Sequence, residues 1–133
     1  LRKENGIAPL TTSDKLMQAA QVRADEMAAS GAYSHTRPDG RKYTTVTDCK
    51  YVGENIHRIA DWALQGKPVS EVAMWSWNHS AGHQNNLLDK SYAEIGVGLA
   101  RGVNEDGYEC WYCVQLFLWN GYSVSWVDAP AAK

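Results

Sequence analysis

The clearest periodic pattern in the sequence lies near its N-terminus. Apolar residues recur there at steps of three and four, at Leu16, Ala20, Ala24 and Met27. This spacing places them on one face of an α-helix. Thr11-Thr12-Ser13-Asp14 before them is rich in N-cap residues, and Ser30-Gly31 after them is a helix stop. The pattern predicts an amphipathic helix over residues 13–29, packed closely against another element through its small alanines.

Alternating apolar and polar residues mark the C-terminal half of the chain. Residues 92–100 alternate as a strand, with one apolar side formed by Ile95, Val97 and Leu99. The turn-forming residues 104–107 separate this strand from a second one over residues 108–119, which predicts an antiparallel hairpin. We also expect a short strand over residues 122–127 and a frayed tail over residues 128–133.

The remaining segments complete the predicted fold. A further helix is expected from about Pro68, a good first-turn residue, to Asn78. One face of it carries Val72, Trp75 and His79. Residues 1–5 resemble the end of a helix closed by Gly6, and residues 42–51 give no clear prediction. Helices around a small antiparallel sheet predict an α+β fold, in one domain over residues 1–133.

Composition excludes several classes of function. The 133 residues carry a net charge of -2 with both signs interspersed, so we expect no nucleic-acid binding. No apolar run approaches the roughly 18 to 20 residues of a transmembrane segment. Six Trp and seven Tyr against one Phe suit both the edge of a core and a binding groove. Because the chain opens without a Met, we interpret its N-terminus as trimmed, and the lack of a signal peptide says nothing about compartment.

The three cysteines leave two interpretations open. Cys110-Trp111-Tyr112-Cys113 has CxxC spacing but lies in a strand-like run, which disfavours a thioredoxin-type redox site. A zinc knuckle would need a second such pair. We slightly favour a disulfide from Cys49 to Cys110 or Cys113, provided that the protein is exported, over three buried thiols.

Candidate chemistry is carried by three short segments. They are Ser34-His35, Gly53-Glu54-Asn55-Ile56 and His79-Ser80-Ala81-Gly82-His83. Imidazoles and a carboxylate that meet in one cleft can hold a divalent metal or move a proton, and zinc accepts both ligand types. Each residue also has a plainer interpretation, because a loop His is more often exposed than functional and a Glu can cap a turn. His57 has no neighbour that suggests chemistry.

His79 and His83 are four residues apart, the spacing of a metalloprotease helix. Ser80 follows the first His instead of the catalytic Glu, however, and Gly82 disfavours an unbroken helix. We therefore expect His83 in a loop as the cleft residue, with His79 packing against the cleft.

Taken together, these segments resemble the CAP superfamily of cysteine-rich secretory proteins, antigen 5 and pathogenesis-related 1 proteins. The resemblance is strongest to its bacterial secreted, SCP-like branch. It follows family order over nearly the whole chain, through residues 24–28, 33–40, 53–56, 77–88, 92–98 and 114–117.

The resemblance implies a three-layer α-β-α sandwich with an antiparallel central sheet flanked by helices, as in pathogenesis-related 1 proteins. It also implies a large cleft with two His and two acidic residues. By motif, the first His, first Glu and second His fall on His35, Glu54 and His83. The second Glu falls on Ser80, so the chain departs from a four-ligand metal site. Glu94 belongs to the strand motif. An outward-facing strand residue, or a partner of a neighbouring Arg, is at least as good an interpretation of Glu94 as a second acidic residue of the site.

Three functions follow as hypotheses, because members of this superfamily are mostly secreted but share no defining reaction. The first is a secreted binding module without a defined reaction, in which His35 and His83 hold zinc or another divalent metal, with Glu54 as a third ligand or as the residue that orients a ligand. Its groove would take an apolar ligand such as a lipid or sterol, or a cell-surface partner. The second is a metal-assisted hydrolase with Glu54 as the base; Ser34 and Ser80 beside the histidines also permit a Ser-His hydrolase. The third is a structural domain with an inert cleft. Ligand and oligomeric state stay open.

Overall fold

The computed structural model describes residues 1–128, which contain three α-helices and four β-strands. The α-helices are α1 (Asp14–Ser30), α2 (Val69–Asn78) and α3 (Ala81–Leu87). The strands are β1 (Thr11–Thr12), β2 (Val52–Ala60), β3 (Tyr92–Val103) and β4 (Glu109–Trp119). Short 3-10 helices lie at Lys3–Asn5, Tyr43–Val46 and Asp61–Ala63. None of the helices in this part of the chain is long and apolar enough to cross a membrane.

The strands form one sheet in the order β1-β3-β4-β2. The predicted hairpin is confirmed as the antiparallel pair β3 and β4, and β2 adds to β4 in antiparallel register. The two residues of β1 pair with β3 in parallel. Helix α1 covers one face of the sheet, and α2 and α3 cover part of the other. This arrangement confirms the α+β fold and its three layers.

Helix α1 forms where the periodicity predicts it. The Ser13 side chain accepts a hydrogen bond from the Leu16 N–H, and Gly31 ends the helix in a left-handed conformation at φ 72°. The four predicted core residues of α1 are all buried. They pack on the side of β3 that carries Gly96 and Gly98, where a Cβ would collide with the α1 backbone. The helix can therefore approach the sheet so closely only because β3 has glycine there.

The apolar side predicted for β3 points away from α1. Ile95, Val97 and Leu99 do share one side of the strand, but Val97 is 43% exposed and Leu99 40%. Because α2 and α3 pack mainly over β2 and β4, this part of β3 stays accessible. The periodicity correctly predicted which residues share a side of β3. The glycines, however, decide which side packs against α1.

Helix α2 buries a different face from the one that the apolar residues indicated. Ala73 and Trp77 face the core, and the Trp77 Nε1 donates to the Ile56 carbonyl at 3.0 Å. Trp75 is 63% exposed and stacks on His79 with ring centroids 3.9 Å apart. The prediction that His79 packs against the cleft is therefore wrong. His83 belongs to the short helix α3 rather than to a loop.

Two predictions for the C-terminal region are also corrected. The strand expected over residues 122–127 does not form, and a single bridge pairs Val127 with Thr47. Asp128 is not frayed, because Arg37 and Arg41 bind its carboxylate. The rest of the predicted tail, residues 129–133, lies outside the described residues.

The favoured disulfide does not form, and Cys49, Cys110 and Cys113 are all free and buried. Cys110 and Cys113 are an odd number of positions apart on β4, so they face opposite layers of the molecule. Cys110 pairs with Ala60 at one end of β2, whereas Cys49 precedes the other end. The geometry of the strand thus separates all three sulfur atoms.

Candidate functional site

The site is organised by β2, which places two consecutive polar residues on opposite faces of the sheet. Glu54 points toward α1, where it meets Arg23 and His35. Asn55 points toward α3, where it meets His83. β2, an edge strand of the sheet, therefore contacts the His35 ring from one face and the His83 backbone from the other.

His35 is held by a buried ion pair. Its Nδ1 lies 2.8 Å from the Glu54 Oε1, and Arg23 donates to both Glu54 oxygens, from Nε at 2.7 Å and from Nη2 at 3.1 Å. The side chains of Arg23 and Glu54 are fully buried, whereas that of His35 is 53% exposed. Because the buried pair fixes one ring nitrogen, the other edge of an accessible imidazole is left to meet a ligand.

His83 is held through both its side chain and its backbone. Its Nδ1 lies 2.9 Å from the Ser80 Oγ, and its carbonyl accepts a hydrogen bond from the Asn55 side chain at 3.2 Å. Burial lowers the pKa of His83, and the charge of His35 lowers this pKa further. His83 therefore favours the neutral form, which is the form of imidazole that binds metals.

The Asn55 side chain connects three elements of the fold. It is fully buried and donates to the Gln115 Oε1 on β4 at 3.1 Å as well as to His83. Its Oδ1 accepts from the Asn86 Nδ2 on α3 at 2.9 Å. Every polar atom of this amide has a partner, so the network fixes α3 against the sheet without leaving a buried group unsatisfied.

Sequence reasoning missed Arg23, Asn55 and Asn86 as site residues. For Arg23 a signal exists, because it lies within the apolar stripe of α1 beside Ala20 and Ala24. A charged residue on a buried helix face requires a buried partner of opposite charge. Asn55 and Asn86 give no comparable signal, since only the tertiary contacts place them together.

Two further residues make no side-chain hydrogen bond to His35, Glu54 or His83 within residues 1–128. Glu94 is on β3, which β4 separates from β2. The structure does not bring this carboxylate to the site, consistent with an ordinary strand residue. His57 packs its ring edge-on against Trp77 at 6.4 Å, and its Nε2 is buried without a hydrogen-bond partner among residues 1–128.

The described residues do not form a complete metal site. Within residues 1–128, no group of three or more His, Cys, Asp or Glu is arranged to hold a metal ion. The Nε2 atoms of His35 and His83 make no hydrogen bond in this part of the chain, whereas both Nδ1 atoms are engaged. This is the pattern of metal-binding histidines, whose second nitrogen is held by a carboxylate or another polar group. The chemistry fits two imidazole ligands.

Comparison with known proteins identifies the family. The sequence model of the cysteine-rich secretory protein family (CAP) matches residues 1–117. YkwD of Bacillus subtilis (strain 168) is 26% identical over 102 residues, which cover 73% of this chain and 37% of YkwD. The chain therefore spans little more than a third of that relative.

Solved structures show the same fold. An extracellular protein containing an SCP domain from Bacillus anthracis str. Ames superposes with a TM-score of 0.65 and 21% identity, over 90% of this chain and 36% of that protein. An outer surface protein from Borrelia burgdorferi gives a TM-score of 0.59 and 17% identity, over 90% of this chain and 84% of that protein. The fold, the order of the motifs and the extent of the sequence match agree, and the chain is a member of the cysteine-rich secretory protein (CAP) family.

Proposed function

We propose that this chain is a secreted binding module that holds a divalent metal, zinc in the first instance, through the Nε2 atoms of His35 and His83. The proposal rests on a hydrogen-bonding pattern that the two imidazole rings have in common. Each Nδ1 is already bound, to Glu54 in one case and to Ser80 in the other. With a proton on each Nδ1, the lone pair of each Nε2 is free to coordinate.

Glu54 acts in this proposal by orienting His35. A ligand or general base needs a free oxygen, but both Glu54 oxygens accept hydrogen bonds from Arg23, and Oε1 also meets His35. The fully buried carboxylate forms an ion pair that would have to break before it could act otherwise. This argues against the metal-assisted hydrolase with Glu54 as base, which stays as the alternative.

Two protein ligands leave the remaining coordination positions open. Zinc prefers four ligands, and sites with open positions take water or an external ligand. A bound metal would supply a point of attachment for an oxygen or nitrogen donor of a cell-surface partner. Two of the structural relatives are described as extracellular or outer-surface proteins, which supports secretion.

Calorimetric titration with zinc at neutral pH tests the proposal. We expect one site per chain in the wild type, at least tenfold weaker binding in His35→Ala and in His83→Ala, and no binding in the double variant. His79→Ala is the matched control, because His79 is exposed and stacked on Trp75. An affinity that is the same in the double variant as in the wild type would refute the site.

A panel of peptides and esters separates the module from the hydrolase. The module predicts no turnover with or without zinc. Zinc-dependent turnover that is lost in Glu54→Gln would favour the alternative.

A further inference from the structure

The loop that carries His35 is fastened by a residue far along the chain. After His35 the chain turns tightly: the Gly40 N–H donates to the Arg37 carbonyl at 2.9 Å, and the Arg37 N–H donates to the Arg41 carbonyl at 2.8 Å. The Tyr43 N–H closes the loop on the His35 carbonyl at 3.0 Å. The position of His35 therefore depends on how this loop, residues 35–43, is held.

Arg37 holds the loop from inside the protein. Its side chain is fully buried, although it lies in a surface turn. The Nη2 donates to the Glu26 carboxylate on α1 at 2.7 Å, and Nη1 donates to the Thr45 Oγ1 at 3.1 Å. A buried guanidinium needs its charge and its donors matched, so Arg37 stays inside only while its partners stay in place.

The remaining partner of Arg37 comes from the C-terminal segment. Arg37 Nη1 donates to the Asp128 Oδ2 at 2.9 Å, and Arg41 donates to the same oxygen, also at 2.9 Å. The backbone holds Asp128 in turn, since its N–H donates to the Val46 carbonyl at 2.9 Å. The family match ends at residue 117, so this carboxylate lies beyond the matched region.

We propose that Asp128 is a positioning residue for His35, acting through Arg37 to fix loop 35–43. The Tyr43 ring at the end of this loop lies 5.9 Å from the His35 imidazole, so movement of the loop changes the surroundings of that ring. The consequence for metal binding rests on the proposed function of His35. The effect on the loop itself belongs to the metal-free protein.

Amide hydrogen exchange of the metal-free protein tests the proposal. Asp128→Asn keeps the size of the side chain and removes its charge. We expect exchange at least tenfold faster at the Arg37, Gly40 and Tyr43 amides, with the α1 amides unchanged. Asp128→Glu should restore much of the protection, because it returns a carboxylate. Glu105→Gln is the matched control, since Glu105 accepts two hydrogen bonds from Arg58 at an exposed site.

A second measurement separates positioning of His35 from a purely structural role. Side-chain NMR should show the His35 imidazole resonances shifted in Asp128→Asn, with those of His79 unchanged. The zinc affinity of this variant should fall at least threefold. Exchange within twofold of wild type at the three loop amides, in a variant whose α1 amides stay protected, would overturn the proposal. If the wild type binds no zinc, the functional proposal fails, and exchange still decides the role of Asp128.

Discussion

At the scale of single residues, the site depends on a carboxylate that is both buried and fully paired. Glu54 is tolerable inside the protein because Arg23 meets both of its oxygens. Replacing such a pair with apolar residues is often harmless, whereas removing one partner strands the other charge. We therefore interpret the Arg23–Glu54 pair as positioning His35 rather than as adding net stability.

Glu54→Gln tests this view of the pair. The substitution keeps the size of the side chain but leaves the buried Arg23 with only the more distant Glu26 carboxylate, 3.9 Å away, as a counter-charge. We expect a loss of about 3 kcal/mol in the free energy of unfolding, measured by urea denaturation. The control Glu105→Gln breaks an exposed pair with Arg58 and should leave stability nearly unchanged. Similar stabilities of the two variants would contradict the assigned burial of the Arg23–Glu54 pair.

The lowered pKa of His57 predicts that the free energy of unfolding depends on pH in a defined direction. Burial lowers its pKa, and His83 lowers this pKa further, so the unfolded chain binds a proton that the folded protein resists. The stabilising contribution is complete above the unfolded-state pKa of about 6.5. It is lost as the pH falls from there through the lowered folded-state pKa.

We therefore expect the free energy of unfolding to fall as the pH is lowered below about 6.5. His57→Gln removes one of the two histidines whose pKa is lowered by burial and should make this decline shallower, which denaturation at a series of pH values measures. His79→Gln, at an exposed position, should leave the decline as it is. An equal decline in wild type and His57→Gln would exclude His57 as its source.

At the scale of elements, the sequence predicts some parts much better than others. Helix α1 is predicted almost to the residue because apolar period, N-cap and terminal glycine agree. Strand β2 is missed because both of its faces are polar near Glu54 and Asn55, so it lacks the alternation of a half-buried strand. The same polar residues build the site, which explains why the pattern fails there.

Contact between α1 and β3 makes a further prediction at this scale. Gly96→Ala would place a Cβ against the backbone of Leu16. Since neither backbone can yield cheaply, we expect a loss of at least about 2 kcal/mol in the free energy of unfolding. The matched control is Gly82→Ala on α3, where a Cβ meets open space and should stabilise the helix by about 0.5 kcal/mol. Gly96→Ala with wild-type stability would contradict the close approach of α1 to β3.

For the whole molecule, the sequence predicts the layers and the candidate ligands but not the network between them. Hairpin, helices and family motifs lead to the α-β-α sandwich, and His35, Glu54 and His83 are named by their motifs. The links from Arg23 to Glu54 and from Asn55 to His83 join residues 31 and 28 positions apart. Such contacts depend on the folded arrangement, and no local pattern encodes them.

None of the three cysteines forms a disulfide, so the fold contains no covalent cross-link between them. Burial raises the pKa of Cys113 to about 12, which keeps the thiol protonated and unreactive. We expect no thiol to react rapidly with an alkylating reagent in the native protein, and three to react after denaturation without a reductant. Mass spectrometry counts the adducts. Only one additional adduct in the denatured protein would show that the other two cysteines form a disulfide, as the sequence had suggested.

The central claim is that His35 and His83 coordinate a metal through Nε2 while Nδ1 carries the proton. Side-chain ¹⁵N NMR of the histidines during a zinc titration tests it most directly. We predict that the Nε2 resonances of His35 and His83 shift together at one zinc per chain, with Nδ1 of both rings protonated and with His57 and His79 not coordinating. Coordination through Nδ1, or a titration that leaves both rings unchanged, would contradict the proposed site.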